Sequence, residues 1–123
     1  MQADARDYLA RARGRFDAVI EDVFVGTARS VRKPEWMLEG GLAAAARRVR
    51  RGGLLVVNTI DETAAVARAL AGFPARVEVR IEGWSNRVLV AGPNDLDART
   101  LRRRVQQSPV LAPALRRLSL RGR

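Results

Sequence analysis

The chain has 123 residues, enough for one domain and not for two. Apolar residues make up 47% of it, so it can bury a core; no apolar run reaches the roughly 18 residues that a membrane helix needs. Cysteine and histidine are both absent, which removes disulfides, thiol nucleophiles, imidazole bases and ordinary zinc sites, and no metal is expected.

The N-terminal stretch alternates acid and base and lacks an apolar signal core, so a cytoplasmic protein is the simplest expectation. Residues 4–12 read as a short helix, with Asp4 able to cap it, Asp7 in the acid-favoured first turn, and Gly14 ending it. Residues 16–23, FDAVIEDV, form an apolar run between turn signals and suit a strand buried on both faces, as in a parallel sheet. Residues 26–33 read as a polar loop. Pro34 then fits the first turn of a helix extending to about Arg51, with Leu38, Leu42, Ala45 and Val49 on one face and Gly52-Gly53 as its stop.

Residues 54–58, LLVVN, are the second buried strand. Thr59 and Glu62 have the spacing of a capping box, which predicts a helix from about residue 60 or 61 to Gly72, with Ala65, Val66, Ala69 and Leu70 inward. Residues 76–82 alternate apolar and charged side chains and predict a half-exposed strand near a sheet edge. A turn over 83–86 leads to RVLVA at 87–91 as its hairpin partner. Residues 97–106 read as a helix with Ala98, Leu101 and Val105 on one side, after which Pro109 and Pro113 break the pattern.

Strands alternating with helices, closed by a hairpin, predict an α/β domain: a partial Rossmann-like sheet with a C-terminal antiparallel hairpin and flanking helices. The expected division is a domain over residues 1–93 and a basic helical tail over 94–123.

Four local sequences carry a more specific signal. They are DARDYL at 4–9, RFDAVIEDVF at 15–24, RRGGLLVVN at 50–58 and WSNRVLVA at 84–91. In that order and spacing the chain resembles the C-terminal half of the spermidine synthase-like (polyamine aminopropyltransferase) family, on the class I S-adenosylmethionine methyltransferase-like fold. The resemblance implies transfer of an aminopropyl group from decarboxylated S-adenosylmethionine to a polyamine substrate. It implies that Asp4 accepts a hydrogen bond from the adenine amino group, with Ala5 beside it, and that Asp22 is the catalytic residue that helps deprotonate the attacking amine. A carboxylate suits both tasks, as an acceptor for an exocyclic amine and as a base that attracts a cation. Asp4 as a helix cap and Asp22 as a strand-end polar residue are the simpler alternatives, and Glu21 reads as the alternate-face residue of its strand. Where the family pattern has a second acid, three residues after the first, this sequence has Val25. Trp36 and Trp84 are expected to pack against their own helix or hairpin, and Asn58 and Asn86 to cap or turn.

The family's glycine-rich cofactor loop and ribose-binding acid are expected before Asp4. On that reading the first strands are missing, the 16–23 strand is a bare apolar edge, and the chain alone is expected to be inactive and to bind no cofactor by itself. Another copy of the chain or a separately encoded N-terminal half is then the expected partner. A methyltransferase half using S-adenosylmethionine is the alternative enzyme, and a non-catalytic basic interaction module the alternative outside enzymes. The net charge is +10, with 22 Arg to one Lys, yet no recognition motif accompanies it. Nucleic acid is therefore not the expected partner, and neither is a membrane.

Overall fold

The computed structural model describes residues 2–27 and 29–123. Helix α1 (Ala5–Arg11) leads into strand β1 (Phe16–Glu21) and a small hairpin, β2 (Val25–Thr27) with β3 (Ser30–Arg32). A π-helical turn (Met37–Gly41) opens onto α2 (Leu42–Arg47), followed by the long strand β4 (Val49–Thr59), α3 (Thr63–Ala69) and the hairpin β5 (Ala75–Ile81) and β6 (Arg87–Gly92). Helix α4 (Ala98–Gln107), a 3-10 turn (Ala112–Arg117) and strand β7 (Leu118–Gly122) complete the chain.

The main sheet has the order β1-β4-β6-β5-β7. β1 runs parallel to β4, and every other neighbour pair is antiparallel. This is a mixed α/β fold: one parallel crossover through α2, then a hairpin inserted beside β4. Register places Val19, Leu55 and Ala91 in one row and Glu21, Val57 and Leu89 in the next. On that face Leu55, Val57, Leu89 and Ala91 meet Met37, Leu42 and Ala45 from the crossover and Val66 and Leu70 from the α3 segment, in one buried cluster.

Several elements depart from expectation. The crossover helix is shorter than residues 34–51. The helix is kinked at Gly40, whose backbone (φ 176°, ψ −16°) is not helical, and the inward side chain ahead of the kink is Met37, at 1% exposed, while Leu38 is 36% exposed. Gly41 is required here, because a Cβ would come within 2.7 Å of the Trp36 ring. Trp36 itself packs against the core, as expected. Residues 49–53, read as helix end and stop, already belong to β4. Val49 pairs with Phe16 and Leu54 with Ala18, so a bulge occupies the residues between. A Cβ on Gly53 would stand 2.7 Å from the Asp17 carbonyl oxygen, so glycine permits the close approach of the two strands.

β1 is not buried on both faces. It is an edge strand, exposed from Phe16 to Ala18 and at Ile20, where 74% of the residue is open. The polar loop over 26–33 is instead the β2–β3 hairpin, in which Gly26 (φ +125°) pairs with Val31 and the chain reverses between Thr27 and Ser30. Thr59 ends β4 rather than capping α3. Its hydroxyl lies 2.8 Å from that of Thr63 and donates to the Arg87 carbonyl at 2.8 Å, while Glu62 occupies the cap position without a side-chain cap bond. Ala69 faces outward, and Thr63, Val66 and Leu70 are the buried side chains of that segment. The segment 94–123 does not stay helical. α4 forms as expected, with Asp97 accepting from the Thr100 N–H at 2.8 Å, but β7 returns to the sheet and pairs with β5. β5 therefore lies one strand in from the edge.

Candidate functional site at the carboxyl ends of β1 and β4

Parallel strands leave their carboxyl ends side by side, and open α/β sheets gather ligands there. In this chain those ends deliver Glu21, Asp22, Asn58 and Thr59. The β5–β6 turn adds Trp84 and Asn86 at the same end, because Thr59 pairs with Arg87.

Asp22 is exposed, and its carboxylate accepts a hydrogen bond from Asn58 Nδ2 at 2.8 Å. Asn58 Oδ1 in turn accepts from Asn86 Nδ2 at 3.2 Å. The two amides, from the end of β4 and from the β5–β6 turn, thus hold the carboxylate through one oxygen, and no described residue hydrogen-bonds the other. Asn58 and Asn86, expected only to cap or turn, are the positioning residues of this cluster. Trp84 is 67% exposed on the neighbouring turn.

Glu21 points the opposite way. It is 4% exposed, its Oε1 accepts the Val23 N–H at 2.8 Å, and its Oε2 lies 2.6 Å from Lys33 Nζ. That contact is an ion pair off the line of a formed hydrogen bond. The Lys33 ammonium, with no side-chain exposure, also stands 4.2 Å from the centroid of the Phe24 ring, a cation–π distance. The Lys33 backbone N–H donates to Glu62 Oε1 at 2.8 Å. The β2–β3 hairpin is therefore pinned at both roots, by Glu21 where it leaves the sheet and by Lys33 and Glu62 where it returns. Val25 lies on this hairpin and is 42% exposed.

Burial pushes the Glu62 carboxyl up, but the N–H groups of Lys33, Glu62 itself and Ile60, with the Lys33 charge, together hold it below its ordinary value of 4.5. A carboxyl with a lowered folded-state pKa adds stability above its unfolded-state pKa and loses it as pH falls through the folded-state value. Glu62→Gln is therefore expected to be less stable than the parent at pH 7, with the difference shrinking as the pH falls below the ordinary 4.5. Urea midpoints at a series of pH values measure this.

Asp4 caps α1, as one of its two readings held: Oδ1 accepts the Arg6 and Asp7 N–H groups at 2.9 and 3.3 Å. No hydrogen bond or ion pair among the described residues joins Asp4 to the Asp22 cluster. No group of His, Cys, Asp or Glu among the described residues has the arrangement to hold a metal ion, and no described helix is long and apolar enough to cross a membrane.

The sequence reading passed over Lys33 and the inward turn of Glu21. The available signal was compositional, since Lys33 is the single lysine among 22 arginines. No family model, curated protein or solved structure matches the chain.

Proposed function

We propose that the Asp22 cluster is the acceptor-amine end of a spermidine synthase-like aminopropyl-transfer site. The observation that carries the reading is an exposed carboxylate, held by Asn58 and Asn86, at the carboxyl ends of two parallel strands. Asp22 attracts the acceptor's ammonium group and takes one of its protons, which frees the nitrogen lone pair. Decarboxylated S-adenosylmethionine, when bound, supplies the electrophilic carbon: the nitrogen bonds to it, and the carbon–sulfur bond breaks toward sulfur. Asn58 and Asn86 keep the carboxylate aimed, Trp84 offers an aromatic face to a cation, and Asp4 Oδ2 is the acceptor for the donor's adenine amine.

Val25 favours a second reading. With no second carboxylate on the hairpin, only one ammonium of an acceptor is matched, as in methyl transfer from S-adenosylmethionine to a monoamine. Titrating 1,4-diaminobutane and 1-butylamine while observing the Asn58 and Asn86 side-chain amide resonances separates the two. The first reading expects the diamine to bind more tightly, with Asp22→Asn weakening it by about tenfold through loss of a charge-assisted contact. Equal binding of both amines supports the second reading. No shift of either amide with either amine overturns both.

A further inference from the structure

The sheet face that carries the core changes character beyond α3. Along β5 the side chains of Arg76, Glu78 and Arg80 share that face, continuing the rows of Ala91, Leu89 and Arg87. β7 adds Arg121 opposite Glu78, and the Arg123 N–H donates to the Arg76 carbonyl at 2.9 Å, so Arg123 stands opposite Arg76. Helix α3 contributes Arg68 and short alanine side chains along one wall. The result is a cleft of about 720 Å³ between α3 and the β5–β7 ladder.

Five guanidiniums and one carboxylate line this cleft, a local charge of 5 − 1 = +4. Glu78 is 2% exposed and bridges Arg80 through one carboxylate oxygen and Arg123 through the other. Burial alone would raise its pKa, but these two arginines hold it below its ordinary value. Glu78 thus fixes two guanidinium heads, each of which keeps further N–H donors. Arg68, Arg76 and Arg121 make no ion pair among the described residues. Like charges gathered this closely repel, and a matching anion relieves the repulsion. Planar guanidiniums bind phosphate oxygens two at a time. The volume exceeds that of a single phosphate, and no aromatic side chain lines the cleft to stack a base.

We propose that the cleft between α3 and the β5–β7 ladder is a binding site for a chain of phosphate groups, as in inorganic polyphosphate or the triphosphate of a nucleotide. It lies across the sheet from the Asp22 cluster and does not depend on the function proposed for that cluster.

The test is calorimetric titration of the full chain with inorganic tripolyphosphate and with adenosine 5′-triphosphate. Saturable one-to-one binding that weakens with salt is expected. Arg76→Gln with Arg121→Gln is expected to cost about tenfold or more in affinity. Arg99→Gln with Arg103→Gln removes the same charge from exposed positions on α4 and is expected to change affinity by less than about twofold. Similar affinities for the two ligands identify the phosphate chain alone as the ligand, and a large preference for the nucleotide identifies nucleotides as the source. Absence of binding overturns the proposal, as does an equal loss in both double variants. Tighter binding of a single-stranded oligonucleotide than of either ligand also overturns it.

Discussion

Replacing Glu21 by alanine is expected to lower stability by about 3 kcal/mol or more, because it leaves the Lys33 ammonium buried without its counter-charge. Both side chains are withdrawn from water, at 4% and 0% exposure, so solvent does little to screen the loss. Lys33→Met, which strands the Glu21 carboxylate, is expected to cost a similar amount. The double replacement Glu21→Leu with Lys33→Met removes both charges and is expected to recover most of the stability, since apolar groups of similar size often match a buried pair. Urea unfolding of the three variants measures the effect. If the single variants each cost under about 1 kcal/mol, the pair behaves like a solvated one and the hairpin is not held by it. The local consequence is separate from the global one. The double variant should fold but hold the β2–β3 root less specifically, which exchange of the backbone amides at positions 23 and 33 would report.

Leu55→Ala is expected to cost about 2–5 kcal/mol. Leu55 is fully buried, pairs with Val19 on one side and Ala91 on the other, and belongs to the cluster that joins the crossover to the hairpin. The sheet cannot close over the lost volume without moving a strand, so the cavity contribution should be near its full size. Ile20 provides the contrast within the same sheet. It pairs with Val56 but is 74% exposed, so Ile20→Ala should change stability by no more than about 0.5 kcal/mol. Equal costs at the two positions would mean that β1 is covered in solution, and sedimentation of the parent chain would then show association.

These magnitudes follow from burial, and burial was only partly legible in the sequence. Apolar runs between glycine signals located β1 and the centre of β4, and alternation located β5 and β6, because each has enough residues to display a period. β2, β3 and β7 are three to five residues long and show almost none. β7 exists because β5 offers it an open edge, a fact about the assembled sheet and not about LSLRG. Val49 to Arg51 read as helix because arginine is a good helix former, and pairing with β1 overrode that propensity. At the candidate site, Asp22 was legible as a strand-end acid. The amides that orient it come from residues 58 and 86, separated by 28 positions and brought together only by the β4–β6 register. The inward turn of Glu21 depended on Lys33 arriving from the far side of a hairpin that the sequence did not announce.

The burial of Lys33 also makes the chain a reporter of its own motion. It carries the only side-chain amine in the protein, and that amine has no exposure to solvent. An amine-reactive reagent can modify this side chain only during moments when the β2–β3 hairpin lifts from Glu21 and Phe24. The labelling rate of Lys33, divided by that of a free lysine, therefore gives the equilibrium constant for that local opening. Each amine or nucleoside that closes over the neighbouring Asp22 cluster should slow the labelling, and a substance that does not touch that end of the sheet should leave it unchanged.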